Sequence, residues 1–387
     1  MTEPRVQGWC PGALRPMLSG DGLLARLRPR GGRILPDEAA GIARLAIAHG
    51  NGLLDFTSRA NLQIRGVTDA SYPPLMEGLA ALGLLDATSA AEARRNIVVS
   101  PFWSRSDGSQ LIADALADAL AGPDAPELSG KFGFTVDCGH VPVLCHVSAD
   151  IRLERGADGG LICRADGAAA GKRVTSESAV AAALALAHWF VASGGTDCGR
   201  GRMSLHLRGG PALHQSYLEA PAQLAAIASP KPGPLAAGFL VGLEFGQMRA
   251  ETLAALARCG TLRATPWRML LIEDASAAPE LAGLISNCDD PLLRVIACTG
   301  SPGCLQAEQP TRALARTLAQ HVPDGAVLHV SGCAKGCAHP APATVTLTAG
   351  PGGFDLIREG SANDAPTLVK LAPEFLLAHP ETLLETT

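Results

Sequence analysis

The chain has 387 residues, more than a single hydrophobic core ordinarily contains, so we expect two or more domains. Its hydrophobic fraction of 47% and charged fraction of 18% are typical of a folded globular protein and exclude a disordered chain. The net charge of −5 provides no overall positive field, so we expect neither a nucleic-acid partner nor a membrane partner.

The beginning of the chain, MTEPRVQGWCPG, contains no apolar segment of the kind found in secretory signals. The Ala-rich run AVAAALALAHWFVASGG, from Ala179, is shorter than a bilayer span and contains His188, so it predicts a buried or amphipathic helix. Both features favour a cytoplasmic location. Because thiols stay reduced there, the eleven cysteines do not predict disulfides.

Helical and extended patterns alternate along the chain and predict a mixed fold, α/β or α+β. The stretch PDEAAGIARLAIAHGNG predicts a helix that begins near Pro36 and ends at Gly50 to Gly52. The stretch LLDFTSRANLQIRGV predicts a strand, a turn at 58–61 and a second extended segment. After it, YPPLMEGLAALGLL predicts another helix.

Three patterns recur in the same order in the second half of the chain. Thr57 has a counterpart in Thr265, RRNIVVSP in LLRVIACTG, and KFGFTVDCGHV in VLHVSGCAKGC. We interpret the chain as a duplicated unit, each copy a small α+β module followed by a larger one, packed around a pseudo-twofold axis. The halves from about Gly8 to Pro221 and from about Pro234 onward should then match helix for helix.

The duplication predicts four domains. The small modules are residues 1–88 and 221–288, and the larger modules are residues 89–220 and 289–387. The Pro- and Ala-rich stretch 221–238 is predicted to link the two copies.

Four cysteines are clustered near the C-terminus. Cys298 and Cys304 form a C-x5-C pair, and Cys333 and Cys337 follow 28 residues later as C-x3-C. Their loops are rich in glycine and small residues, which can curl around a cofactor and leave N–H groups free to bond sulfur. An iron–sulfur cluster is favoured, with a structural zinc site or four unrelated thiols as alternatives.

The other seven cysteines are spread along the chain, and each is predicted to be a small buried hydrophobic residue. They are Cys10, Cys138, Cys145, Cys163, Cys198, Cys259 and Cys288.

The four-cysteine pattern, with its last pair in a G-C-x-x-G-C turn, resembles the sirohaem-dependent sulfite and nitrite reductase superfamily, whose members are also duplicated. The resemblance implies an α+β fold of two paired ferredoxin-like half-domains and two larger α/β domains. It also implies that Cys298, Cys304, Cys333 and Cys337 bind a 4Fe–4S cluster. Cys337 would bridge this cluster to a second iron or to sirohaem.

Basic motifs extend the resemblance. TSRANLQIRG, RRNIVVSP and KFGF are similar to anion-binding stretches of the superfamily and place Arg59, Arg95 and Lys131 at the tetrapyrrole or anion. The motif's second lysine is Gly133 here, and Lys335 stands where sulfite reductases tend to have asparagine. Reduction of an oxyanion needs positive charge around it, so these departures weigh against a sulfite or nitrite reductase, which stays the alternative.

Four longer stretches resemble the precorrin-3B synthase family, the oxygen-using branch of this superfamily. They are GWCPGALRPMLSGDGLLARLRP, GNGLLDFTSRANLQIRGV, GFLVGLEFG and SGCAKGCAHP, and the resemblance runs from Gly8 to about Leu347. It implies an O2-dependent mono-oxygenase that converts precorrin-3A to precorrin-3B in aerobic cobalamin synthesis, by hydroxylating C20 and forming a γ-lactone. It also implies a second, non-haem iron beside the cluster.

Sirohaem and precorrin-3A are both reduced tetrapyrroles fringed by carboxylates. Our hypothesis is that a sirohaem-like pocket holds the substrate and that arginines bind its carboxylates. The candidates are Arg15, Arg26, Arg28, Arg59, Arg65, Arg94 and Arg95, together with Lys131 and Lys335.

No nucleotide-binding glycine motif follows a predicted strand, so electrons are predicted to come from an external NAD(P)H-dependent donor. His140, His146 and His339 lie near matched loops, but no facial triad is visible, and the second iron's ligands and the catalytic residues are not assigned. A non-enzymatic tetrapyrrole-binding or electron-transfer iron–sulfur protein is the third alternative.

Overall fold

The computed structural model describes residues 10–197, 200–223 and 230–384. Cys198 and part of the predicted linker lie outside these ranges. The first copy contains β1 (Met17–Ser19), β2 (Gly22–Leu27), β3 (Arg33–Ile34), α1 (Pro36–His49), β4 (Leu53–Phe56), β5 (Leu62–Val67), α2 (Tyr72–Ala81) and α3 (Ser89–Arg94). It continues with β6 (Ile97–Val99), α4 (Ser109–Ala121), β7 (Phe134–Asp137), β8 (Ile151–Arg155), β9 (Leu161–Ala165), β10 (Ala170–Arg173), α5 (Ala179–Ala192), α6 (Met203–Arg208) and β11 (Ala220–Pro221).

The second copy repeats this strand pattern. Its small module contains β12 (Gly233–Leu235), β13 (Gly238–Leu243), β14 (Gln247–Arg249), α7 (Ala250–Leu256), β15 (Leu262–Ala264), β16 (Met269–Glu273) and β17 (Leu284–Ile285). Its larger module contains β18 (Val295–Ala297), α8 (Arg312–Leu318), β19 (Leu328–Ser331), β20 (Ala343–Gly350), β21 (Gly353–Gly360), β22 (Leu368–Leu371) and α9 (Pro373–Ala378).

The two small modules exchange strands. One sheet has the order β1-β2-β5-β4-β14, and the other has the order β12-β13-β16-β15-β3. Thus β14 of the second copy pairs with β4 of the first, while β3 of the first copy pairs with β15 of the second. The exchange is reciprocal, and residues of both small modules form one hydrophobic core.

The larger modules share one topology. In the first, β6, β7 and β8 are parallel neighbours and β9 and β10 continue antiparallel. In the second, β18, β19 and β20 are parallel neighbours and β21 and β22 continue antiparallel. A helix, α4 or α8, connects the first two strands of each sheet. The predicted α+β class and the duplication are confirmed, and the exact domain boundaries stay a prediction.

The helices repeat less faithfully than the strands. Helix α2 has no α-helical counterpart after β16 within the described residues, where the chain forms turns and β17 instead. Pro279 and Gly283 interrupt any helical pattern in that segment. The expectation of a helix-for-helix match is therefore wrong at this point.

Small side chains allow the helices to pack closely. Helix α1 packs against α7 and buries Ala39, Ile42, Ala43 and Ala46. The Ala-rich run forms α5, as predicted, and buries one face in the larger module. Within the described ranges, no helix combines the length and the apolar character needed to cross a membrane.

The turns after β4 and β15 are built alike. Thr57 Oγ1 accepts hydrogen bonds from the N–H groups of Arg59 and Asn61, at 3.2 and 3.3 Å. In the second copy, Thr265 Oγ1 accepts from the N–H groups two and four residues later, at 3.3 and 3.2 Å. The third residue after each threonine, Ala60 or Arg268, has a positive φ. These two turns aim residues toward the cavity described below.

We expect Thr265→Val to lower the free energy of unfolding by roughly 1–3 kcal/mol, because two N–H groups lose the fully buried Thr265 hydroxyl as their acceptor. Chemical denaturation measures this change. Thr317→Val is the matched control at an exposed position and should change stability by less than about 0.5 kcal/mol. Equal effects of the two substitutions would contradict a structural role for the Thr265 hydroxyl.

Candidate functional site

A cavity of about 300 Å³ lies where the two copies meet, at the lower end of the size range of small-molecule sites. Its walls come from both strand-exchanged sheets and from the cysteine loops. The lining residues are Arg26, Asp55, Phe56, Thr57, Ser58, Arg59, Gln63, Phe245, Arg268, Ala297, Cys298, Thr299, Arg312, Cys337 and Ala338.

Four arginines line this cavity, and three of them have only neutral partners among the described residues. Arg26 Nε and Nη2 lie 2.9 and 2.6 Å from the amide oxygen of Gln63, when that amide is turned toward Arg26. Arg59 Nη1 donates to the carbonyl oxygen of Lys131 at 3.3 Å, and Arg268 Nη2 donates to the carbonyl oxygen of Ala338 at 2.8 Å.

The fourth arginine, Arg312, lies 3.4 Å from the carboxylate of Asp55. That carboxylate also pairs with Arg65 at 2.9 Å and accepts a hydrogen bond from Gln247 at 2.9 Å. Its charge is therefore already compensated, and the cavity carries a net positive charge.

Burial of these charges without a bound anion is energetically unfavourable. It lowers the pKa of Arg26 to about 10, with the nearby Arg28 adding to the effect. Burial also lowers the pKa of Arg59, and it lowers that of Arg268, where Arg312 adds repulsion. Each guanidinium stays charged at neutral pH, so an anionic ligand would supply the missing compensation.

The first cysteine pair lies in the loop that follows β18. The carbonyl oxygen of Cys298 accepts a hydrogen bond from Thr311 Oγ1 at 2.7 Å, and the N–H of Cys304 donates to Gly300 at 2.9 Å. Gly332, beside the second pair, donates its N–H to Cys298 Sγ at 3.1 Å. A Cβ on Gly332 would lie 2.7 Å from the Cβ of Ala307, so this close approach requires glycine.

The four thiols are near enough to influence one another. Burial raises the pKa of Cys333 and of Cys337, and the charges of Cys298 and Cys304 raise both further. The cationic Lys335, between the second pair, has the opposite effect on both. Thiolates gathered here need a cationic group among them.

Four thiols could serve a zinc ion or an iron–sulfur cluster. Within the part of the chain that the structure describes, no three His, Cys, Asp or Glu side chains form a ready-made site for a single metal ion. The N–H group of Gly332 is directed at Cys298 Sγ, and such N–H groups are typical of the surroundings of an iron–sulfur cluster.

Comparison with known proteins identifies the family. Residues 15–82 match the nitrite/sulfite reductase ferredoxin-like half domain. The chain is 31% identical to a precorrin-3B synthase from Sinorhizobium sp. over 402 aligned positions, which cover 93% of this chain and 84% of that protein. The chain belongs to the precorrin-3B synthase family. It is therefore an oxidoreductase.

Two other relatives show the wider superfamily. The beta subunit of NADPH sulfite reductase from Saccharomyces cerevisiae is 32% identical over 91 residues, which cover 24% of this chain and 6% of that protein. The structure of NirA from Mycobacterium tuberculosis matches with a TM-score of 0.63 and 17% identity, covering 93% of this chain and 79% of that one. This second likeness shows a shared fold.

Arg59 and Arg26 line the cavity of this precorrin-3B synthase family member, and Cys337 lies at its wall. Arg95 does not line the cavity. Its Nε and Nη2 bond both carboxylate oxygens of Asp86, at 2.7 and 2.8 Å. The expectation that Arg95 and Arg59 share the cavity is not met in the structure, because Asp86 holds the Arg95 side chain elsewhere.

Arg65 is buried between Asp21 and Asp55, so its guanidinium is already paired. Its Nη2 also donates to the carbonyl oxygen of Gly303 at 2.7 Å, which supports the loop of the first cysteine pair. The other predicted basic residues lie outside the cavity lining. Lys131, Lys335 and Arg15 are exposed, Arg28 lies 3.7 Å from Glu92, and Arg94 donates to the carbonyl oxygen of Leu120 at 3.0 Å.

Arg268 and Arg312 were missed at the sequence level. The match of Thr57 to Thr265 could have pointed to Arg268, because it aligns Arg268 with Ala60, next to Arg59. Arg312, at the first turn of α8, carries no comparable signal in the sequence.

The prediction for the isolated cysteines is confirmed at Cys138 and Cys163, which are buried, and wrong at Cys259 and Cys288, which are exposed. Cys259 lies in a turn after α7 and Cys288 lies in a loop, and both positions are outside the hydrophobic core. The remaining described ones, Cys10 and Cys145, are half-buried.

Proposed function

We propose that this chain converts precorrin-3A to precorrin-3B as an O2-dependent mono-oxygenase of aerobic cobalamin biosynthesis. One observation carries the proposal: a cavity with four arginines and one already paired carboxylate extends to Cys337. Such a cavity suits a substrate that is rich in carboxylates and must lie beside a redox group.

The arginines would bind and orient the substrate. Arg26, Arg59 and Arg268 each have N–H groups whose present partners are neutral oxygens, and the carboxylates of precorrin-3A are stronger acceptors. A planar guanidinium can bind a carboxylate through two parallel hydrogen bonds, which also fixes its direction. Arginines on several walls would therefore hold the macrocycle in one orientation.

The four clustered cysteines, Cys298, Cys304, Cys333 and Cys337, would hold a 4Fe–4S cluster. The cluster, when bound, supplies electrons one at a time, as reactions of O2 require. Cys337 lies in the cavity wall and so would place this redox group next to the substrate. The electrons would come from an external NAD(P)H-dependent donor.

A sirohaem-dependent sulfite or nitrite reductase is the second candidate, favoured by the local similarity to a sulfite reductase beta subunit. The glycine at the position of the superfamily's second lysine argues against a reductase. A Cβ on Gly133 would lie 2.9 Å from Asn96 Nδ2, so a lysine there would require the Asn96 side chain to shift. The site would then have one cationic side chain fewer to stabilise an oxyanion.

Turnover assays on anaerobically purified protein test the proposal. With an NAD(P)H-dependent electron donor, we expect precorrin-3A to be consumed under air and to persist under argon. Sulfite or nitrite reduction, together with a sirohaem absorption band, would support the reductase instead. Binding of precorrin-3A without turnover under air would support the non-enzymatic alternative.

A further inference from the structure

A phenylalanine in the cavity wall has an unfavourable backbone conformation. Phe245 lies in the tight turn Glu244–Gly246, between β13 and β14, with a φ of 53° and a ψ of 22°. This is the left-handed region, which bulky side chains rarely adopt. Such outliers persist only where the surrounding structure imposes them, and they are concentrated at functional sites. Phe245 is also one of the residues that line the cavity.

The first copy has the same turn with glycine at this position. The turn Arg30–Gly32 leads into the exchanged strand β3, as Glu244–Gly246 leads into β14. In each turn, the N–H of the first strand residue donates to the carbonyl oxygen of the first turn residue. Gly31 has a φ of 59°, close to that of Phe245. The fold therefore sets this conformation, and only the first copy has the residue type that adopts it without strain.

The groups that pack beside the two turns differ. A Cβ on Gly31 would collide with Nε2 of Gln110, so a side chain of α4 occupies that space in the first copy. In the second copy, the buried ring of Phe245 occupies its own space, and the guanidinium carbon of Arg316 in α8 lies 6.0 Å from the ring centroid. A cation at this distance attracts an aromatic ring, so Arg316 helps to hold the ring in place.

The turn is also in close contact with other parts of the cavity wall. A Cβ on Gly246 would lie 2.6 Å from Arg268 Cδ and 2.9 Å from the carbonyl oxygen of Phe56, at the end of β4. Phe56 and Phe245 are the only aromatic residues among the described residues that line the cavity. The wall therefore combines cationic groups with two aromatic side chains.

We propose that Phe245 packs against the flat face of a tetrapyrrole macrocycle whose carboxylates are bound by the arginines. A reduced tetrapyrrole has a broad apolar ring system inside a fringe of carboxylates, so a complementary cavity needs an apolar surface as well as cations. Aromatic side chains pack favourably on such ring systems at centroid distances of about 4.5–7 Å. This inference rests on the proposed function and makes Phe245 a specificity-determining residue, which favours macrocycles over smaller polycarboxylates.

A purely structural role is the alternative, because Phe245 also belongs to the hydrophobic core of the second larger module. A core residue contributes to stability but does not distinguish one anionic ligand from another. Phe354, in β21, is the matched control: it is a buried phenylalanine of the same core and does not line the cavity.

The experiment measures binding without turnover, in anaerobic titrations with two probes. Uroporphyrin III is a flat macrocycle fringed by carboxylates, and butanetetracarboxylate carries carboxylates on a flexible chain without a ring. Phe245→Leu should bind uroporphyrin III about threefold to tenfold more weakly than the parent, the range expected for loss of an aromatic contact. Phe245→Tyr retains the ring and should bind like the parent.

The second probe and the control exclude a general structural effect. Butanetetracarboxylate should bind equally well to the parent and to both Phe245 variants, because the arginines are unchanged. Phe354→Leu should lower stability and leave the affinity for both probes unchanged.

A measurement without ligand tests the backbone of the turn. Glycine ordinarily gives a less stable protein than alanine, but this order is reversed where φ is positive. Phe245→Gly should therefore resist chemical denaturation better than Phe245→Ala. The opposite order would overturn the proposal, because the left-handed conformation would then not be imposed by the fold.

The proposal is also overturned if the parent does not bind uroporphyrin III, if Phe245→Leu binds it like the parent, or if that variant loses affinity equally for both probes. Normal precorrin-3A turnover by Phe245→Leu, with an unchanged KM, would overturn the ring contact and leave the proposed function standing. Absence of turnover in a parent protein that shows the ring-dependent preference would overturn the proposed function and leave the contact standing.

Discussion

Replacement of any one of Cys298, Cys304, Cys333 and Cys337 with serine is expected to abolish the absorbance of the bound cluster together with all turnover. Serine keeps the shape of the side chain but replaces a soft thiolate with an alcohol that does not ionise at neutral pH. The thiols lie in loops fixed by several backbone contacts, including the N–H of Gly332 on Cys298 Sγ. Neighbouring residues are therefore poorly placed to substitute for a lost ligand.

The matched control is Cys259→Ser. Cys259 is exposed and is not one of the four clustered cysteines, so this substitution should leave absorbance and turnover unchanged. The measurements are iron and sulfide content, the visible spectrum and precorrin-3A consumption. A parent protein that binds zinc and no sulfide would contradict the cluster, and so would a serine variant with a full spectrum. Circular dichroism of each variant distinguishes loss of the ligand from loss of the fold.

The large-scale architecture was predictable because it depends on repeated local patterns. The two threonines that begin equivalent turns, Thr57 and Thr265, are visible in the sequence and keep the same hydrogen bonds in the structure. The strand exchange was not predictable. The exchanged strands β3 and β14 have only two and three residues, too few to carry a periodic pattern, and their partners lie in the other copy.

The site residues were predictable where a motif fixes the backbone. They were unpredictable where a charged partner determines the position of the side chain. Arg59 follows a threonine-anchored turn and lines the cavity. Arg95 and Arg65 are in equally suggestive motifs, but Asp86 and Asp21 bind their guanidinium groups. Asp21 is 44 residues from Arg65 in sequence, and such long-range pairing cannot be deduced from one sequence.

The positive charge of the cavity also depends on the duplication. Arg59 and Arg268 belong to equivalent turns of the two copies, and both line the same cavity. Their positions within those turns differ by one residue. The second copy has Trp267 at the position equivalent to Arg59. One repeat thus supplies its cation from the second residue after the threonine, and the other supplies it from the third.

Truncation of Arg59 or of Arg268 to alanine is expected to weaken precorrin-3A binding about tenfold to hundredfold, which corresponds to roughly 1.5–3 kcal/mol for a shielded charge-assisted pair. Both arginines are half-buried and lack a carboxylate partner among the described residues, so a substrate carboxylate would be their main counter-charge. Anaerobic absorbance titration with precorrin-3A measures the dissociation constant without turnover.

Three further variants serve as controls for the arginine substitutions. Arg105→Ala removes an exposed arginine outside the cavity lining and should leave affinity unchanged. Arg59→Lys should recover only part of the loss, because lysine lacks the planar fork of two donors. Arg95→Ala tests the remaining prediction for that residue: with Arg95 held by Asp86, we expect it to lower stability and to leave affinity nearly unchanged.

The cluster's spectrum should survive in every arginine variant, because none of these residues is a predicted ligand. If Arg59 and Arg268 bind separate carboxylates, the double variant should lose the product of the two single effects, and a smaller loss would indicate one shared carboxylate. Normal affinity in both single variants would show that the tetrapyrrole does not occupy this cavity. The guanidinium groups would then have to serve a smaller anion, and turnover of sulfite in place of precorrin-3A would identify the chain as a reductase.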